Sequence, residues 1–387
     1  NDFSWNQYAN VLYIESPSSV GFSHSNGSLP DKIIDETTAD LNMKTLQAFM
    51  TRVHPRYANR DFFITGESYA GYYIPYFALA ILTGLSTGEF TNDHFKGIAM
   101  GNAAMDYYSR YLASALQMFT MGTMPPESGP RLLQKWTKYQ AGRNGSLDDL
   151  IPPRQDTVFV HMVESLKHPA MYNLHQTCDG NESDELWHID KRTKGTNCES
   201  DELIERYFNR LDVQKALHVI TNENSTAQWT WLSKQVQGSY YMDMEVFHIY
   251  GEIFDLDDFR ILFFSGDFDF VCPAVHIARG AEIIAERYDL EETRDAPKLW
   301  NNLGDFGGAL TSYTKSNITM DVLTVRAAGH MVPINQPPRI FQVINNFLFS
   351  SETPIDYSKK IRRRTLKSDA STTTVVDPIA QLMSSDF

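Results

Sequence analysis

Apolar positions along the front of the chain fall into two rhythms, short continuous runs and helical spacings, which alternate with each other. Ala9–Glu15 is an apolar run that stops at Pro17 and predicts a strand. Thr37–Val53 carries Ala39, Met43, Leu46 and the pair Phe49–Met50 at helical intervals, which predicts an amphipathic helix. Asp61–Thr65 is a second strand, Gly66 opens a turn, and an apolar helix follows. Lys96–Met100 is a third strand that ends at Gly101-Asn102. Strands alternating with helices predict an α/β fold, with a mainly parallel central sheet and helices on both faces.

From about Tyr107 the pattern changes. The stretch to residue 200 is rich in Met, Pro and aromatic residues, shows little strand alternation, and reads as a helical cap inserted over the sheet. Helices return from Leu203, and clean strands follow at Arg260–Ser265 and Asp321–Val325. Gln336–Phe349 closes the globular part as a helix, with Ile340, Val343, Ile344 and Phe347 on one face. Beyond Ser350 the chain turns polar, with a basic cluster from Lys359 to Arg364 and a Ser/Thr-rich tract, which predicts a disordered tail. The expected organisation is a first part of the sheet domain (1–106), a cap (107–200), a second part (201–350) and a tail (351–387).

Composition narrows the function without fixing it. A chain of 387 residues that is 42% hydrophobic can bury a substantial core. A net charge of -14 gives no basic face for nucleic acid. No apolar run is long enough to span a bilayer, and no zinc pattern or phosphate-binding glycine loop calls for a cofactor or metal. Of three cysteines, Cys178 and Cys198 flank a polar segment that they could close as a disulfide, two free thiols being the alternative. Glycosylation sequons at Asn26, Asn144, Asn181, Asn224 and Asn317 lend mild support to a secretory route.

The chemistry concentrates where strands end. Gly66-Glu67-Ser68-Tyr69-Ala70-Gly71 has the layout of a nucleophile elbow, a tight strand-to-helix turn that lifts a serine Oγ above the end of an α/β-hydrolase sheet. A serine needs a histidine to take its proton and a carboxylate to orient that histidine. In this fold those partners follow in the order acid, then histidine. The strand ending at Ser265 runs into Asp267-Phe268-Asp269, and the one ending at Val325 runs into Gly329-His330. Ser68, Asp269 and His330 therefore stand in the order and topological places of a triad, with the Tyr69 backbone N–H as an oxyanion donor.

These segments together resemble the serine carboxypeptidases of the carboxypeptidase Y and cathepsin A family. The resemblance runs from Phe3-Ser4-Trp5-Asn6, Ala9–Pro17 and Val20-Gly21-Phe22-Ser23 through Gly66–Gly71 and Ser265–Asp269 to Ala328–Pro333. It implies a serine-type carboxypeptidase that releases C-terminal amino acids through an acyl-enzyme, with acid pH favoured and peptide or protein C-termini as partners. It assigns the triad acid to Asp269 and a structural role to Asp267. Glu67 becomes a protonated donor to the substrate's terminal carboxylate, and Cys272 and Met331 become edges of the pocket for the released residue. A lysosomal or secreted location follows, with a homodimer left open. Esterase or acyltransferase chemistry, and a non-catalytic protective domain, are the alternatives.

The family's Asn-Gly-Gly-Pro-Gly motif does not occur, and Asn1 aligns downstream of where it would stand. The expectation is of an N-terminally truncated chain that lacks one oxyanion donor, much of the carboxylate-recognition site and the first strands.

Overall fold

The computed structural model describes residues 2–23, 32–124, 126–141, 169–173, 197–219, 228–230, 233–241, 243–293, 298–302 and 304–360. The strands are β1 (Ile33–Ile34), β2 (Phe62–Glu67), β3 (Phe95–Gly101), β4 (Tyr240–Tyr241), β5 (Phe259–Gly266), β6 (Glu291–Glu292), β7 (Lys298–Asn302), β8 (Asp305–Lys315) and β9 (Ile318–Val325). The helices are α1 (Asp35–Ala48), α2 (Ala70–Thr87), α3 (Tyr107–Thr120), α4 (Ser128–Ala141), α5 (Asn197–Phe208), α6 (Leu211–Ala216), α7 (Lys234–Ser239), α8 (Ala274–Arg287), α9 (Val332–Asn335) and α10 (Pro337–Phe349). The helix expected over residues 37–53 is α1 continued by a π-turn at Phe49–Val53.

The main sheet has seven strands in the order β2-β3-β5-β9-β8-β6, with β7 also paired to β8. β2, β3, β5 and β9 are parallel, whereas β8 runs antiparallel to β9, β7 and β6. The sheet is thus mixed, with its parallel half on the side that carries the elbow. The antiparallel part is hard to read from sequence because β8 holds two glycines and several hydroxyl residues where alternation would otherwise show.

The inner parallel strands β3, β5 and β9 bury both faces, whereas β2, at the end of the sheet, is half-buried. Ile98 and Met100, Ile261 and Phe263, and Met320 and Val322 point into a core shared with α1, α2, α3 and α8. Their neighbours Ala99, Leu262, Phe264, Leu323 and Val325 point the other way, into a core closed by Ile340, Val343, Ile344 and Phe347 of α10. Period-two alternation therefore fixes both layers at once. Arg260 of β5 ties the second layer down by donating to the carbonyls of Phe347 and Ser350, at 2.9 and 2.7 Å, beside the end of α10.

Two expectations need correction. Ala9–Glu15 is not a strand: it joins no sheet among the described residues, and Val11, Leu12 and Tyr13 are 37%, 44% and 88% exposed. An apolar run becomes a strand only when a neighbour supplies its backbone hydrogen bonds. Residues 351–360, expected as the start of a polar tail, pack onto the body through buried Ile355 and Tyr357. Two apolar anchors in a polar stretch are enough to hold it. The Tyr357 hydroxyl donates to Asp321 of β9 at 2.8 Å. Residues 361–387, including most of the basic cluster, lie outside the described residues.

Candidate active site

The C-terminal ends of the four parallel strands bring together the loops that hold the expected chemistry. Ser68 follows β2 with φ +65°, a left-handed conformation that a non-glycine residue adopts only when its surroundings enforce it. Here the Ser68 N–H donates to Gly101 at 2.8 Å, and its carbonyl accepts from Ala104 and Gly71 at 2.9 and 3.1 Å. The turn leaves no room beside it. A Cβ on Gly66 would stand 2.7 Å from the Ala70 Cβ and 2.9 Å from the Ile74 Cδ1.

Tyr69 enters α2 directly after Ser68, and its backbone N–H has no acceptor among the described residues. Its side chain is fixed from the far side. The Tyr69 hydroxyl donates to Asp35 at 2.8 Å, and the same carboxylate accepts from the Tyr240 hydroxyl at 2.7 Å. The β1–β4 pair is in this way tied to the residue after the elbow.

Asp269 has no exposed surface and accepts four hydrogen bonds. The Val271 and Cys272 N–H groups donate at 2.7 and 3.1 Å, the Asn102 Nδ2 at 2.6 Å and the His330 Nδ1 at 2.7 Å. A carboxylate so satisfied stays fixed and holds the imidazole with its Nδ1 protonated, leaving Nε2 as the basic nitrogen. Asp267 instead accepts from the Ala328 N–H at 3.3 Å, joining its own loop to the one that carries His330. Gly266 makes that contact close, because a Cβ there would lie 2.1 Å from the Gly329 carbonyl. His330 is further held by its N–H to the Tyr172 carbonyl at 2.6 Å and by the Tyr172 ring, edge-on at 5.2 Å.

Glu67, the last residue of β2, faces this cluster. Burial, the largest influence, and the nearby Asp269 push its pKa up to about 7, while His330 pulls the other way. For His330, burial works against the imidazolium, but the carboxylates of Asp269 and Glu67 outweigh it and hold its pKa above the ordinary value. Glu67 and His330 therefore compete for one proton.

Cys272 is fully buried, and burial pushes its thiol up to about 12, so it is a neutral, enclosed group beside the site. Met331 is half-buried at the start of α9. Asn317 is exposed in the turn between β8 and β9. Asn26, Asn144, Cys178, Asn181 and Asn224 lie outside the described residues, as does the Cys198 side chain. Among the described residues no group of His, Cys, Asp and Glu could hold a metal ion, and no helix is long and apolar enough to cross a membrane.

Sequence reasoning missed Asn102 and Tyr172. Asn102 is buried at φ +43°; its Oδ1 accepts from the Gly266 N–H at 3.2 Å while its Nδ2 holds Asp269. The one available signal was an Asn directly behind the Gly that ends β3. Tyr172 left none, being far from His330 in sequence.

Comparison with known proteins gives this arrangement its place. The serine carboxypeptidase family profile matches residues 1–350. The chain belongs to the serine carboxypeptidase family. A serine carboxypeptidase of Caenorhabditis elegans, ctsa-4.1, is 28% identical, over 92% of this chain and 78% of the relative. Serine carboxypeptidase-like 29 of Arabidopsis thaliana is 30% identical, over 92% of this chain and 72% of that protein. The crystal structure of Kex1(delta)p, a prohormone-processing carboxypeptidase from Saccharomyces cerevisiae, superposes with a TM-score of 0.65 at 17% identity. That match covers 90% of this chain and 75% of the yeast one, and it shows the shared α/β-hydrolase fold. As a serine carboxypeptidase, the chain is a hydrolase that acts on peptides, and the strand ends described above are where that fold keeps its catalytic groups.

Proposed function

We propose that Ser68, Asp269 and His330 form the catalytic triad of a carboxypeptidase that removes single C-terminal residues through an acyl-enzyme. The observation that carries this reading is the Asp269–His330 pair, buried and joined at 2.7 Å, on loops that follow parallel strands of the same sheet whose β2 leads into a serine held at positive φ. The His330 Nε2 takes the Ser68 proton as Oγ attacks the last peptide carbonyl, and later returns it to the departing amine. The Tyr69 N–H stabilises the oxyanion; losing one such donor costs about 100- to 1,000-fold in turnover.

Glu67 supplies the exopeptidase preference. In its neutral form it donates a hydrogen bond to the substrate's terminal carboxylate, whereas its anion would repel that group. A pKa near 7 keeps it neutral under acid conditions. Met331 borders the pocket for the released residue, with Cys272 behind it. The exposed Asn317 sequon fits passage through the secretory pathway to a lysosomal or secreted destination. Cleavage of a blocked dipeptide at pH near 5 tests the reading. Release of the free C-terminal amino acid is expected, with loss on amidating that terminus or on Ser68→Ala. Ester hydrolysis without peptide cleavage would assign the site to acyl-transfer chemistry instead.

A further inference from the structure

Asp35 is a buried carboxylate that the proposed mechanism leaves unused. It is the first residue of α1, is 2% exposed, and gives each of its oxygens to a different tyrosine. Oδ2 accepts from the Tyr69 hydroxyl at 2.8 Å, and Oδ1 accepts from the Tyr240 hydroxyl at 2.7 Å. Burial raises its pKa, while the Tyr240 and Tyr69 hydroxyls act against that rise. A charge drawn out of water is unfavourable unless it is well hydrogen-bonded. α1 already packs on α2 through apolar residues such as Met43, so adhesion does not require a carboxylate here. What a hydrogen-bonded carboxylate adds is direction.

The direction is imposed on Tyr69. Its ring is boxed by Tyr72, stacked at 5.1 Å, by Tyr240, edge-on at 5.7 Å, and by Tyr73, tilted at 6.2 Å. With the hydroxyl on Asp35 the ring has one position, and the Tyr69 Cα is held with it. That position controls the peptide between Ser68 and Tyr69. A trans peptide is planar, so its C=O and N–H point in opposite directions. The Ser68 carbonyl accepts from the Ala104 and Gly71 N–H groups, which turns the Tyr69 N–H away from both of them. The plane is therefore pinned twice, at the carbonyl by backbone donors and at the next Cα by the Asp35 clasp. Ser68 at φ +65° is a strained neighbour that would relax if either pin were lost.

We propose that Asp35 is a positioning residue that aims the Tyr69 N–H at the developing oxyanion by clasping the Tyr69 hydroxyl. The proposal rests on Ser68 being the nucleophile and the Tyr69 N–H an oxyanion donor. Such a donor works by being fixed in place before the charge develops, so a clasp on its residue acts on turnover rather than on substrate binding.

The test cuts the link from both sides. Tyr69→Phe removes only the hydroxyl that Asp35 holds, and Asp35→Ala removes the clasp. Asp35→Asn keeps a bond to each phenol, because an amide accepts from one and donates to the other. On one blocked dipeptide, kcat should fall by about 10- to 100-fold in Tyr69→Phe and in Asp35→Ala, with KM changed by less than about twofold. The double variant should lose no more than either single one, since both break the same link. Asp35→Asn should keep most of kcat. Affinity for a peptide aldehyde, which forms a tetrahedral oxyanion on Ser68, should fall by the same factor as kcat. Tyr69→Phe keeps the volume of the ring, so it decides the case even should Asp35→Ala not fold. An unchanged kcat in Tyr69→Phe, or losses that add in the double variant, overturns the proposal. A loss confined to KM, with the aldehyde bound as tightly as before, also overturns it and gives the clasp a merely structural role. An unaltered protein that does not label at Ser68 with a fluorophosphonate overturns it together with the nucleophile reading, whereas labelling with kcat intact in Tyr69→Phe overturns it alone.

Discussion

Replacing Glu67 with Gln should separate substrate recognition from the chemistry at Ser68 and show the difference in the pH profile. Glu67 has a pKa of about 7, raised by burial and by Asp269. From pH 5 to pH 8 its protonated fraction therefore falls from roughly 99% to roughly 10%, and kcat/KM on peptides should fall about tenfold with it. The loss belongs to recognition, so it should appear mainly in KM. His330 links to the same event: a neutral Glu67 no longer raises its pKa, so a single proton on Glu67 leaves the imidazole free to act as base.

Gln has the shape of the protonated acid and cannot ionise. The Glu67→Gln protein should hold its kcat/KM from pH 6 to 8, where the unaltered protein declines. Its acid limb should not move to lower pH, because Glu67 is already neutral there in the unaltered protein. Steady-state kinetics on one blocked dipeptide across pH 4 to 9 give both limbs. A variant that keeps the decline near pH 7, or an unaltered protein with a flat profile there, would refute the assignment of Glu67.

Asn102→Ala removes a donor at 2.6 Å from a buried carboxylate and strains a position at φ +43°. Stability should fall by about 2–3 kcal/mol in denaturant unfolding, and kcat should drop up to about 100-fold as Asp269 and His330 lose alignment. Asp321, buried between the Ser312 and Tyr357 hydroxyls, has its pKa pushed up to about 6 by burial. Its folded pKa exceeds the ordinary value, so its contribution to stability is full below pH about 4 and is lost as pH rises through 6. The change is roughly 3 kcal/mol, and Asp321→Asn should flatten the pH dependence of unfolding across that window.

The parts of the fold that could be read from sequence were those whose periodicity reports both partners at once. Ala39, Met43 and Leu46 of α1, and Ile340, Val343, Ile344 and Phe347 of α10, are buried as their spacing predicts. β5, with Ile261–Phe264, and β9, with Val322 and Leu323, carry apolar residues on consecutive positions because both faces are covered. Legibility failed where pairing decides the outcome. The apolar run at Ala9–Glu15 has no strand beside it, and β8 pairs through a pattern broken by Gly307 and Gly308. The site shows the same division. Ser68, Asp267, Asp269 and His330 stood out because each follows a strand. Asn102 acts across a long sequence separation, on Asp269, and only three-dimensional proximity exposes it.

The central claim is that Ser68 is the activated nucleophile, and covalent capture tests it most directly. After reaction with a fluorophosphonate and proteolysis, mass spectrometry should find one adduct, on the peptide holding Gly66–Gly71 and at Ser68. Ser68→Ala should abolish it, and Asp269→Asn should slow it. An unlabelled Ser68 in folded protein, or an adduct on a different serine that survives Ser68→Ala, would contradict the account.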